Sequence, residues 1–255
     1  MGTPARMIDP LSVISLAVLP FARGNQLGQA TAFGVERNNT RYLITNWHVV
    51  AGRHAETGEV LSPTGAIPDE LRILFHGAAR LGTWIMRSET LYDGDGRPRW
   101  VEHAGGREID VVALPLSPPD GEVAFYPFDL NLADADVRVG PATEVSIIGF
   151  PLGIGTEGQF GFPIWKTGHI ASDPDLDYGG QPAFLVDATT REGMSGSPVV
   201  RRAESGYVER QGGFVVGPTA TRFLGIYSGR ICQHAELGRL WRPQVLIDLL
   251  QRLGN

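Results

Sequence analysis

Apolar residues along this chain fall into short runs, and helical spacing is almost absent before the last fifteen residues. Nine stretches, 13–20, 29–36, 41–45, 71–75, 111–116, 144–150, 184–187, 198–200 and 223–228, are rich in Val, Ile, Leu and Phe and are bounded by Gly, Pro, Asn or Asp. Such runs between turn formers predict β-strands. The exception is 242–253, where Val245, Leu246, Leu249, Leu250 and Leu253 recur at helical spacing. Pro243 suits the first turn of that helix and Gly254 its stop. Many short strands with one terminal helix predict an all-β fold, a barrel or a sandwich.

Composition narrows the picture. With 255 residues the chain is long enough for one large β domain or two small ones sharing an interface, and its 33 Gly and 18 Pro fit frequent turns. A formal charge of −6 argues against nucleic acid as the main partner. Cys232 is the only cysteine, so no intrachain disulfide forms and the fold rests on burial. We read it as a small packed residue. The apolar run 14–20 follows Arg6, and Ala30-Thr31-Ala32 has the form of a leader cleavage site. However, Asp9, Pro10, Arg23, Asn25 and Gln26 break the layout of a leader, and the run leads into the next strand. The expectation is a first strand of the mature domain and a cytoplasmic location. No run approaches the roughly 20 apolar residues that span a bilayer, so no membrane is expected. The segment 117–139, rich in Pro, Asp and Ala, reads as a linker. It predicts an N-terminal unit over 10–120, a connection over 121–139 and a C-terminal unit over 140–255.

Three short blocks carry candidate chemistry. In Gly193-Met194-Ser195-Gly196-Ser197-Pro198 a serine sits on a tight turn, and glycine at 193 lets the backbone approach a substrate closely. In Thr45-Asn46-Trp47-His48-Val49-Val50 a strand ends just before a histidine, an anchorage that suits a general base. His54, His76, His103, His169 and His234 lack that context and are read as background. In Asp110-Val111-Val112-Ala113-Leu114 an acid precedes an apolar strand, placed to accept a hydrogen bond from a histidine. Each block alone matches an ordinary turn or strand end. Their order, with His48 and Asp110 in one half and Ser195 in the other, is what gives them weight.

Taken together, these blocks resemble the trypsin-like serine peptidases, in the disulfide-free bacterial branch that includes glutamyl endopeptidases and HtrA proteases. The first matches that family's Gly-x-Ser-Gly-[Gly/Ser]-Pro, the second its Thr-x-x-His-Val-Val, and the third its Asp-[Ile/Val]-Ala-Leu with one residue inserted. Weaker echoes are 29–35, where Ala30 and Ala32 replace glycines, Ile148-Gly149-Phe150-Pro151, and Leu224 to Gly229. The resemblance implies a chymotrypsin-like double six-stranded β-barrel with a C-terminal helix. It also implies an endopeptidase that cuts proteins or peptides through an acyl-enzyme on Ser195. His48 would be the general base, Asp110 its orienting acid, and the N–H groups of Gly193 and Ser195 the oxyanion hole. No cofactor and no metal are expected. The implied substrate pocket involves Thr189, Thr190, Tyr227, Ser228 and Arg230. Arg230 suggests a Glu or Asp preference; the alternative is that it faces solvent and the pocket takes a polar or small residue.

Relative to the family, no long propeptide, no clipped Ile/Val N-terminus and no downstream PDZ-like domain are expected in this chain. Either it is constitutively active or an activating partner orders its oxyanion loop. A rival of a different class is a non-catalytic peptide-binding module on the same fold. An α/β-hydrolase is excluded, because its nucleophile turn, its element alternation and its Ser, Asp, His order all differ.

Overall fold

A computed structural model describes residues 8–253 apart from 119, 159–160, 218 and 233–235. In the first half the strands are β1 (Ser15–Ala22), β2 (Asn25–Gln26), β3 (Ala30–Arg37), β4 (Thr40–Thr45), β5 (Glu70–Gly77), β6 (Trp84–Thr90), β7 (Val101–Glu102), β8 (Val112–Pro115) and β9 (Val123–Ala124), with helix α1 (Trp47–Ala51) after β4. They form one sheet in the order β6-β5-β1-β3-β4-β8-β7, with β2 on β1 and β9 on β5. The second half holds β10 (Glu144–Gly149), β11 (Ile164–Ile170), β12 (Ala183–Asp187), β13 (Pro198–Ala203), β14 (Gly206–Val208), β15 (Phe214–Val216), β16 (Ala220–Arg230) and β17 (Leu237–Trp241). Here β10-β11-β12-β17-β16-β13 close into a six-stranded barrel, and β14-β15 is a separate hairpin. The chain ends in α2 (Pro243–Arg252), with Pro243 in the first turn; Gly254 lies outside the described residues. This is the mostly β architecture with a C-terminal helix that the sequence predicts.

Burial follows position in the sheet. β1 is paired on both edges, with β3 and β5, and nearly all of it is buried. β6 is an edge strand, half exposed, and its residues Trp-Ile-Met-Arg-Ser-Glu-Thr lack the apolar alternation that marks a buried strand. β11 and β17 are likewise mixed in polarity, which is why strand patterning alone does not reveal these three.

One core cluster joins the halves. Phe33, Ile44 and Val111 meet Ile148, Val200, Phe223 and Trp241. Phe128, from the connecting segment, lies between Phe33 at 5.3 Å and Phe223 at 4.6 Å, centroid to centroid. Helix α2 lays Val245, Leu246, Leu249 and Leu250 on the same cluster, each worth about 1.5–3 kcal/mol of apolar burial. Polar bonds cross nearby: Ser15 Oγ donates to the Ile148 carbonyl at 2.8 Å, and Trp165 Nε1 to Ser12 Oγ at 2.9 Å. Cys232 corrects an expectation. It is exposed rather than packed, because the chain leaves the barrel after β16 before returning as β17.

Candidate active site

His48 sits in the first turn of α1, directly after β4. Gly52 ends that helix at φ 62°, and a Cβ there would lie 2.3 Å from Pro68 Cδ, so only glycine closes the turn. Asp110 precedes β8, which pairs with β4, and this pairing brings the acid to the histidine. His48 Nδ1 lies 2.7 Å from Asp110 Oδ2, and the His48 backbone N–H donates to Asp110 Oδ1 at 2.9 Å. Ser228 Oγ, on β16 of the other half, donates to Asp110 Oδ2 at 2.5 Å. Asn46 Nδ2 donates to the Asp110 carbonyl at 2.6 Å. The carboxylate is 3% exposed, and three donors fix it.

With Nδ1–H directed at the carboxylate, Nε2 is the nitrogen left to accept a proton. Burial lowers the His48 pKa, but the Asp110 charge and hydrogen bond raise it by more, so it lies above the ordinary 6.5.

Ser195 comes from the loop between β12 and β13. Its carbonyl accepts from Thr31 N–H at 2.9 Å, and Gly196 N–H donates to the Tyr227 carbonyl at 2.8 Å. Met194 is fully buried in the barrel core. Gly193 has φ 94°, and a Cβ there would lie 2.2 Å from the Phe150 carbonyl oxygen. Glycine is therefore required on both counts.

The turn opened by Phe150 sets the Gly193 peptide. Leu152 N–H donates to the Glu192 carbonyl at 2.6 Å. In a trans peptide C=O and N–H point oppositely, so Gly193 N–H is turned away from Leu152. Leu152 makes this bond from the left-handed region, φ 54° and ψ 27°, at a cost of roughly 1–2 kcal/mol for a non-glycine residue. Thr31 holds the next carbonyl: its Oγ1 donates to Gly193 O at 2.7 Å and accepts from Phe150 N–H at 3.1 Å. Among the described residues, the N–H groups of Gly193 and Ser195 have no hydrogen-bond partner. Two unused N–H groups beside a serine hydroxyl can stabilise a developing oxyanion. Sequence reasoning missed Thr31 and Leu152, since neither carries a motif.

Ser195 and His48 line one cleft of 160 Å³, with no hydrogen bond between them among the described residues; such contacts often tighten only when substrate binds. The cleft wall is apolar, with Pro20, Leu27, Ala30, Val49, Leu61 and Pro68. Gly229, where a Cβ would be 3.7 Å from Ser195 Oγ, is not among its lining residues. The expected pocket residues are divided. Thr190 and Tyr227 are buried and joined hydroxyl to hydroxyl. Burial pushes the Tyr227 phenol up to about 12, against the opposing Thr190 hydrogen bond, so it stays neutral. Its ring fills the space of a side chain at Gly238, where a Cβ would lie 2.2 Å from Cε2. Ser228 is committed to Asp110, and Thr189 and Arg230 are exposed. Among the described residues no group of three or more potential ligands could hold a metal ion, and no helix is long and apolar enough to cross a membrane.

A fold with this histidine, acid and serine at the junction of two β units defines a class, and sequence comparison agrees. Residues 30–208 match the trypsin-like peptidase domain, and the chain belongs to that family. No curated protein matches the sequence. Among solved structures it is similar in fold to the serine endoprotease from Yersinia pestis, with TM-score 0.54 and 12% identity over 95% of this chain and 63% of that one. The chain thus spans less than two thirds of that protein's length. It is also similar to the Rv3671c protease from M. tuberculosis in its active form, with TM-score 0.50 and 18% identity over 96% of this chain and 82% of that one.

Proposed function

We propose that the chain is a serine endopeptidase in which Ser195 attacks the scissile carbonyl, His48 takes its proton and Asp110 holds the imidazole. The observation that carries this reading is the His48–Asp110 pair, 2.7 Å apart, opening with Ser195 onto one cleft. Proton transfer to His48 Nε2 creates an imidazolium that the Asp110 carboxylate stabilises. The Gly193 and Ser195 N–H groups take the negative charge that develops on the carbonyl oxygen. His48 then returns the proton to the leaving amine, and water hydrolyses the acyl-enzyme by the same route. The Leu152 N–H bond to the Glu192 carbonyl, which leaves the Gly193 N–H unpaired among the described residues, supports a site assembled without an activating partner. On this reading 10–120 and 140–255 are two units that share the site, joined by 121–139.

Intact-mass labelling with a fluorophosphonate tests it. One adduct on the wild type and none on Ser195→Ala or His48→Ala is the expected result. A folded wild type that takes no adduct would favour a peptide-binding module without catalysis. Cleavage-site profiling then addresses the acidic preference suggested by Arg230, and a profile without Glu or Asp at the cut position removes it.

A further inference from the structure

At the other end of β16 four arginines, Arg138, Arg210, Arg222 and Arg242, line a cleft of 660 Å³ floored by Phe184 and Leu224. From Leu224 to Ser228 the strand advances about 13 Å, so this cleft is separate from the site around Ser195. The guanidinium groups are oriented mainly by neutral partners. Arg222 Nη1 donates to the Val137 carbonyl at 2.7 Å, and its Nε is buried without a partner. Arg210 Nη2 donates to the Ala133 and Ala135 carbonyls, each at 3.2 Å. The Arg138 side chain has no partner among the described residues. Arg242 alone bonds a carboxylate, that of Asp177, and its Nη2 is buried and unpartnered.

Backbone carbonyls orient a guanidinium without neutralising it. Asp173 and Asp175 also line the cleft, Asp177 pairs with Arg242, and Asp136 accepts from the Arg210 backbone N–H. Even so, the Arg138, Arg210 and Arg222 guanidiniums form no ion pair among the described residues. Burial, and then the nearby Arg210 charge, hold the Arg222 pKa below the usual arginine value, against the opposing charges of Asp175 and Asp136. Planar guanidinium forks match carboxylate and phosphate oxygens in pairs. The volume lies in the range of small-molecule sites and exceeds what a single inorganic ion fills.

We propose that this cleft binds a small polyanion through carboxylate or phosphate oxygens, with Arg222 and Arg210 as its main donors and Arg138 at its mouth. The proposal is independent of the peptidase reading. Pyrophosphate and citrate, titrated into the full chain by calorimetry at low ionic strength, are the probes. Saturable binding of either is expected, at least tenfold weaker in the double variant Arg138→Ala/Arg210→Ala. Both side chains are exposed, so that variant should fold, and circular dichroism checks it. Arg97→Ala, which removes an exposed arginine paired with Asp95 in the first half, should bind as the wild type. Pyrophosphate alone would assign phosphate chemistry, and citrate alone carboxylate chemistry. No saturable heat with either probe, or undiminished binding in the double variant, overturns the proposal.

Discussion

Replacing Thr31 by valine keeps the branched shape and removes one hydroxyl, which here serves two neighbours. Its Oγ1 donates to the Gly193 carbonyl at 2.7 Å and accepts from Phe150 N–H at 3.1 Å, at a residue with no solvent exposure. Each orphaned buried group costs about 1–3 kcal/mol. The Phe150 share lowers stability and nothing else. The Gly193 carbonyl belongs to the Gly193–Met194 peptide and finds water only if that peptide turns. That turn breaks the Met194 N–H bond to the Arg191 carbonyl and, through the shared Gly193 Cα, displaces the preceding peptide that carries the oxyanion N–H. The Leu152 bond to the Glu192 carbonyl still holds that preceding peptide, but then alone. If the Gly193 share biases the turned state by about 1–3 kcal/mol, acylation falls roughly 5- to 150-fold. Fluorophosphonate labelling rates, kcat and KM on a peptide ester, and a thermal melt should therefore show kcat falling, KM nearly constant and Tm reduced. Thr31→Ser, which restores the hydroxyl, should recover the rate. A Thr31→Val protein that melts lower yet labels at the wild-type rate would refute the idea that this tether positions the oxyanion peptide.

Four further outcomes are expected. Because the general base must be neutral, kcat/KM should rise with pH through a midpoint above 6.5, and Asp110→Asn, which removes the charge that raises it, should move the midpoint down; an unmoved midpoint rejects His48 as the titrating group. Ser228→Ala should slow acylation, yet add almost nothing in an Asp110→Asn background, since both act on one carboxylate; additive losses would separate their roles. Burial holds His76 at a pKa of about 4, so the folded state stays neutral where the unfolded chain takes a proton. Stability should therefore be full above pH 6.5 and fall by about 3 kcal/mol as pH drops towards 4. Urea unfolding of His76→Phe should lose that one-proton slope, and an equal slope would exclude His76 as its source. Finally, peptides with Leu, Val or Met just beyond the cut should beat Ala by roughly tenfold or more, by filling the apolar cleft beside His48, and Leu61→Ala should erode the preference. A flat profile would sink that assignment.

The sequence revealed what depends on local composition. The runs around β1, β3, β4, β5, β8, β10, β12, β13 and β16 are apolar because those strands face a core, and α2 shows its buried stripe. His48, Asp110 and Ser195 each sit in a short block whose residue types are demanded by the backbone at that point, glycine at 193 most plainly. What the sequence hid are features set by distant partners. β6, an exposed edge strand, needs no apolar pattern. Leu152 adopts a left-handed conformation because Glu192 O receives its N–H across the site, and nothing in Pro-Leu-Gly announces it. Ser228, expected in the substrate pocket, instead reaches Asp110 because β16 crosses beside the other half. The four arginines of the second cleft come from four separate parts of the chain, and no linear motif encodes their grouping.

Thr31 also ties the two halves mechanically. Through its N–H and its hydroxyl it holds Ser195 and Gly193 of the other half, its carbonyl accepts from Thr45 on its own sheet, and Ser228 and Asp110 form a second stitch across the same seam. The seam and the site thus share these bonds, beside the apolar core that also joins the halves. Under a pulling force, or in denaturant too dilute to unravel either sheet, separation of the halves would disarm the molecule while most of its β-structure survives.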